Sequence, residues 1–291
     1  MAAEMTTMSS RIDNPPLQSS EEHLIEAGAG GISFGLAELW QQRELVWIFT
    51  KRQIFVRYRQ MALGIFWVAL EPLAYLSMMT VVFGMLLRVN TGKYPYAVFA
   101  FAGIMPWLLF SKATTAAANS LADNMGLISK VYFQRLLLPV SGVVRELFDS
   151  AVVFVILVLL AWIFGFPPTA KLLLAPIVLL YTSVVALAVG LWLASIMVPF
   201  RDIRPLLGLI LQAGMYATPV LYPPDLVPQA LLPYYQLNPM YWTIELFRWL
   251  LLDRPVTYTA SFGYSIGAVV VALLTGLIVF ASGQKRVVDV Q

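Results

Sequence analysis

From residue 61 onward the chain is a succession of apolar runs, each close to the length that crosses a bilayer. Six stretches, 63–87, 97–119, 140–165, 172–198, 205–222 and 262–282, approach the ~20 residues that a hydrocarbon core about 30 Å thick requires. The pattern predicts an all-α integral membrane protein with about six transmembrane helices. The third and fourth runs are separated by a short turn, Phe166–Lys171, and the fourth and fifth by Phe200–Pro205. Helices this uniformly apolar have no face to orient them; the charges at their ends must do so.

The flanks of this block read differently. Residues 1–35 mix polar and small residues with no periodic apolar face, and lack the basic patch and compact apolar run of a secretory signal. They are expected to form a flexible cytoplasmic tail. Over 36–60, Leu36, Leu39, Trp40, Trp47, Ile54 and Tyr58 recur at helical spacing, with Arg43, Lys51, Arg52, Arg57 and Arg59 between them. That predicts an N-terminal amphipathic helix in the membrane interface. The same cations also satisfy the positive-inside rule.

The transmembrane domain proper is expected over 61–286, with 287–291 as a cytoplasmic end. Within it, 223–254 stands apart. Pro223, Pro224, Pro228, Pro233 and Pro239 interrupt it, yet it carries the apolar run Thr243–Leu252. Too short to span and too apolar for a free loop, it predicts short re-entrant helices before the last span, their broken ends covered by protein.

Composition sharpens this picture. Charged residues make up 12% of the chain and apolar ones 59%, against about 25% charged in a soluble domain, so lipid must cover part of the surface. There is no cysteine, and the single histidine, His23, sits in the polar N-terminal stretch; no metal site and no catalytic base are expected. With the N-terminus inside, the inner flanks carry Arg43, Lys51, Arg52, Arg57, Arg59, Lys130, Arg135, Arg201, Arg204, Lys285 and Arg286. The outer flanks carry Arg88, Lys93, Lys171, Arg248 and Arg254. The excess predicts both termini in the cytoplasm, and a basic balance that serves topology calls for no nucleic-acid partner.

Four segments carry a resemblance. YRQMALGIFWVALEPL at 58–73, GLISKVYFQRLLLP at 126–139, FRDIR at 200–204, and YATPVLYPPDLVP with LNPMYWTIELFR between 216 and 248 occur in collinear order. Together they resemble the permease subunits of ABC-2 type exporters for polysaccharides and polyol phosphates, the O-antigen, capsule and teichoic acid transporters. Two positions depart from that pattern: Gln134, where many relatives have proline, and Glu71, where glutamine is common. The resemblance implies a homodimer in a bacterial cytoplasmic membrane, joined to two ATP-binding cassette subunits and exporting lipid-linked polysaccharide. The chain contains no G-x-x-x-x-G-K-[ST] loop. No cofactor is expected in it; ATP and Mg belong to the partner. Capsule or teichoic acid polymer, or small amphipathic drugs, are alternative cargoes on the same fold. A polyprenyl-lipid enzyme is the reading from another class.

Four groups of residues follow as candidates. Arg52, Arg57 and Arg59 are expected where substrate phosphate or lipid headgroup enters. Within the segment 123–139, Leu127, Ile128, Lys130, Tyr132, Phe133 and Arg135 are expected to couple to the ATPase, as exposed aromatics flanked by charge. Glu71, Lys112, Arg145, Glu146 and Asp149 form an intramembrane charge cluster, for which Arg145–Asp149 at i,i+4 and Glu146–Lys112 across helices are the expected pairs. A proton relay is the sharper alternative to such structural pairing. Tyr222, Pro224, Asn238, Pro239, Glu245 and Arg248 are expected at a periplasmic gate. Glu146 and Asp149, three residues apart on one helix, cannot flank a glycosidic bond as hydrolysis requires.

Overall fold

The computed structural model describes residues 40–59, 66–131, 133–197, 200 and 202–289, with the backbone alone over 283–289. The expected tail 1–35 and Tyr132 lie outside the described residues. In chain order the helices are α1 (Arg43–Arg59), α2 (Phe66–Met79, continued as a π-helix over Thr80–Leu86), α3 (Tyr96–Asp123) and α4 (Met125–Ile128). They continue as α5 (Leu137–Ile163), α6 (Ala175–Met197, after the 3₁₀ turn Ala170–Leu174), α7 (Ile203–Ala217), α8 (Leu232–Leu237), α9 (Pro239–Leu252) and α10 (Ala260–Asp289). The protein is an all-α integral membrane protein.

Five helical stretches are long and apolar enough to span: Phe66–Leu86, Tyr96–Asp123, Leu137–Ile163, Ala170–Met197 and Ala260–Ser282. The sixth expected span, 205–222, is different. Its helix α7 has 15 residues, about 22 Å, and ends where Thr218 turns extended (φ −110°, ψ 144°). Thr218 precedes Pro219, whose ring disfavours a helical residue before it, so the chain breaks out of the helix and runs on through Pro223 and Pro224.

The central helix is α3. Of its most apolar window 78% is buried, against 22% for α2, so α2 is an edge and α3 the core. α3 meets α6 through small residues that let the backbones approach: a Cβ on Gly190 would collide with the Cβ of Ala117. Phe99, Phe101, Ile104 and Leu109 of α3 are fully buried, joined by Phe247 of α9 and Leu157 of α5. A second cluster gathers Leu121, Leu136, Leu138, Leu191 and Phe280 at the other end of the bundle.

α1 does not lie across the bundle. Thr50 and Gln53 meet Ser141, Gln53 meets Arg145, and Arg57 and Tyr58 meet Asp149. Partner numbers rise along α5 as they rise along α1, so the two helices run side by side in the same direction over about 12 Å.

Candidate functional site

The charges at the α1 end of the bundle share one level. Lys112 Nζ lies 2.6 Å from Glu71 Oε2, and Arg57 Nη1 lies 3.2 Å from Glu146 Oε1 and 2.8 Å from Asp149 Oδ2. Arg145 donates from Nε to Glu146 Oε1 at 3.1 Å and from Nη1 to Gln53 Oε1 at 3.1 Å. Beyond this level the helices carry no charge: Tyr96–Ser111 on α3 and Ser150–Ile163 on α5 measure about 24 and 21 Å. A hydrocarbon core about 30 Å thick therefore puts the charged level within two helical turns of one of its boundaries.

The cluster expected from the sequence is thus assembled, with different partners. Arg145–Asp149 and Glu146–Lys112 do not form. α1, laid along α5, inserts Arg57 between the two carboxylates, and α2 offers Glu71 to Lys112 first. Tyr58 donates its hydroxyl to Asp149. Burial, and next that hydrogen bond, push the Tyr58 phenol above its ordinary range, which keeps it a donor. Every carboxylate in the cluster has a cation within 3.2 Å.

Above the ion pairs a cleft of about 780 Å³ opens between α1, α2, α3 and α5. Arg52, Gln53, Lys112, Asn119, Arg145 and Glu146 supply its polar wall, and Leu127 of α4 closes one side. Arg52 makes no ion pair among the described residues. Asn119 lines the cleft, its amide oxygen buried without a hydrogen-bond partner among the described residues. The three arginines expected to receive substrate do not converge: Arg52 faces the cleft, Arg57 is held by its carboxylates, and Arg59 sits on the opposite flank of α1, its guanidinium 5.8 Å from the Phe55 ring centroid.

The segment 123–139 also differs from expectation. Phe133 is half-buried, 5.6 Å from the ring of Phe49 on α1, and with Ile128 it joins the second apolar cluster. Leu127 turns into the cleft, and Arg135 is half-buried. Among the described residues of the segment, Asp123, Gly126, Ser129, Lys130 and Val131 are exposed. Most apolar side chains in so short a connection bury against the helix ends they join, leaving Val131 outside with the small and charged residues.

At the other end lie the six residues expected at a periplasmic gate. Asn238 caps α9, accepting from the Met240 amide at 3.0 Å, with Pro239 at the first helical position, and it donates to Thr218 Oγ1 at 3.0 Å. Tyr222 donates to the Tyr216 carbonyl, and the buried Pro224 starts a 3₁₀ turn whose other two residues are exposed. Arg248 is fully buried: it donates to Glu245 (2.9 Å) and to the Val220 carbonyl (2.7 Å), its guanidinium 3.8 Å from the Phe99 ring centroid. Arg254 adds contacts to Glu245 and Asp225. Outside, Lys171 pairs with Asp253 and holds its carboxyl below the usual range. Sequence reasoning missed Phe99, Gly103, Val220 and Arg254. At Gly103 a Cβ would collide with the Val220 carbonyl, a constraint that exists only once the fold brings the two together. α9 has 14 residues, nearly all buried, and is covered by protein as a short apolar helix among spans must be.

Comparison with known proteins agrees with this architecture. Residues 44–252 match the family model described as ABC-2 type transporter. An O-antigen export system permease protein RfbA from Myxococcus xanthus is 33% identical over 186 residues, covering 64% of this chain and 71% of the relative. An RfbA of Klebsiella pneumoniae is 24% identical over 249 residues, 85% of this chain and 95% of its own. The polysialic acid transport protein KpsM of Escherichia coli is 24% identical over 242 residues, 80% and 91%. The chain therefore belongs to the ABC-2 type transporter family, as a multi-pass membrane subunit of a transporter and not an enzyme.

Proposed function

We propose that this chain forms half of a channel that exports a lipid-linked, O-antigen-like polysaccharide across the bacterial cytoplasmic membrane. The observation that carries the reading is the cleft at the hydrocarbon boundary. It offers Arg52, with no ion pair among the described residues, the polar side chains of Gln53 and Asn119 and a flank of paired charges, next to a wall supplied by the segment 123–139. A lipid diphosphate needs cations at headgroup depth, and a sugar needs hydroxyl partners. Relatives named for O-antigen and polysialic acid transport support the same cargo class. A small amphipathic drug would be served better by an apolar pocket than by this polar one.

Two copies complete the pore in this reading. Glu71, Ser77 and Gln212, on α2 and α7, are exposed at bilayer depth, where polar groups seek protein or water; a second copy covers them. Two ATP-binding partner subunits dock at the segment 123–139, both termini face the cytoplasm, and ATP and Mg stay with the partner. Movement there reaches the cleft through Leu127 and Phe133. When the chain is reconstituted with its ATPase in proteoliposomes, that ATPase should hydrolyse ATP faster when given a polyprenyl-diphosphate oligosaccharide. Stimulation by amphipathic dyes with no response to the lipid-linked sugar would overturn the reading.

A further inference from the structure

The structure assigns to the outer flank of α1 a binding site for an anionic phospholipid. A groove of about 660 Å³ runs between α1 and α5, on the side away from the cleft. Trp47, Ile54, Phe55 and Phe148 make its walls, and Lys51 and Arg59 stand on its rim. Each cation lies over an aromatic face, Lys51 Nζ 5.1 Å from the Trp47 ring centroid and Arg59 Cζ 5.8 Å from that of Phe55. Neither forms an ion pair among the described residues. Tyr58 is committed to Asp149, so apart from the two cations and the Trp47 indole the groove is lined by apolar surface. What suits it is an acyl chain.

Depth and charge select which lipid. Tyr58 and Phe148 stand at the charged level, within two turns of the hydrocarbon boundary, so the groove opens where headgroups meet acyl chains. Lys51 and Arg59 are eight positions apart, about 12 Å along the helix. Two uncompensated cations at that depth attract an anionic headgroup and gain nothing from a zwitterionic one; basic pockets between helices on the cytoplasmic side are anionic-lipid sites for this reason. The site is independent of cargo and ATPase. A lipid held there braces α1 against α5 from the side opposite the cleft.

Native mass spectrometry of the full chain in neutral detergent tests this, with phosphatidylglycerol and phosphatidylcholine of matched acyl chains as probes. The chain should retain phosphatidylglycerol in preference. Lys51→Gln or Arg59→Gln should each weaken that retention about fivefold, and the double variant about thirtyfold, with phosphatidylcholine unchanged. Arg43→Gln, also exposed on α1 but outside the groove, should retain it fully. Unchanged phosphatidylglycerol retention in the double variant, or an equal loss in Arg43→Gln, would overturn the assignment.

Discussion

Arg57 on α1 reaches Asp149 on α5 at 2.8 Å, across a separation of 92 residues, and touches Glu146 with the same nitrogen. This contact makes a basic segment part of the bundle. The two carboxylates are buried, while Arg57 keeps 28% of its side chain exposed. Removing the cation strands the buried Asp149, while Glu146 keeps Arg145. Arg57→Gln should therefore cost about 2–4 kcal/mol, the lower part of the range for a broken buried pair, because solvent reaches the arginine. Detergent melts of Arg57→Gln, Asp149→Asn and the double variant form a cycle. The double variant should lose clearly less than the sum of the singles; strict additivity would mean the residues are not coupled.

The buried Arg248 contact has a steeper cost. Arg248 lies fully buried between Glu245, the Val220 carbonyl and the Phe99 ring. Arg248→Met leaves Glu245 buried and the carbonyl unmet, and should cost about 3–5 kcal/mol. Arg248→Lys should recover only part, since a point charge cannot bridge both acceptors as the fork does. Gly103→Ala should act on the same contact from the other side, by pushing on the Val220 carbonyl. Equal melting temperatures for Arg248→Lys and wild type would remove the fork from the argument.

For coupling, the buried and exposed positions separate. Lys130→Glu and Val131→Asp alter side chains that face outward, whereas Phe133→Asp puts a carboxylate against Phe49 and the second apolar cluster. The first two should abolish stimulation of a co-purified ATPase and leave the melting temperature unchanged. Phe133→Asp should lower both. ATPase rates at the wild-type level in both outward variants would move the docking surface elsewhere.

Much of this organisation was legible in the chain because the bilayer imposes a coarse rule. A run of about 20 apolar residues spans, and its length shows without knowledge of its neighbours. Hence Leu137–Ile163 and Ala260–Ser282 lie close to expectation. The short helix α7 was over-extended because Thr218–Tyr222 is as apolar as a span, while only the Thr218–Pro219 step marks its end. Glu71, Lys112, Arg145, Glu146 and Asp149 were readable as a group, since ionisable groups in apolar runs are few. Arg57 and the pairing were not, because Arg57 comes from a segment whose direction relative to α5 no local pattern encodes. For the same reason Phe133 read as an exposed aromatic: its partner, Phe49, is 84 residues away.

Orientation is open to labelling because the chain has no native cysteine. Gly92, at φ +68°, would strain a side chain, so the outer positions are better placed at Lys93 and Leu226, both exposed. Lys93→Cys and Leu226→Cys should react with an impermeant maleimide added to intact cells, and Ser129→Cys only after lysis. Labelling of Ser129→Cys from outside would invert the topology.

The arginines of α1 can be told apart by a change that keeps their charge. Arg52 lines the cleft without an ion pair among the described residues, while Arg59 lies over Phe55 on the opposite flank. A phosphate site uses the planar guanidinium fork, where lysine is a poor substitute, whereas a lipid surface needs only the positive charge. Arg52→Lys should therefore reach the membrane, bind the ATPase normally and export less polymer, by about tenfold if one charged hydrogen bond is lost. Arg59→Lys should export at the wild-type rate. The readout is surface polymer in cells lacking the native permease, normalised to permease abundance in the membrane. Wild-type export by Arg52→Lys would remove the phosphate role from the cleft, and an equal loss in Arg59→Lys would show that substrate meets both flanks of the helix.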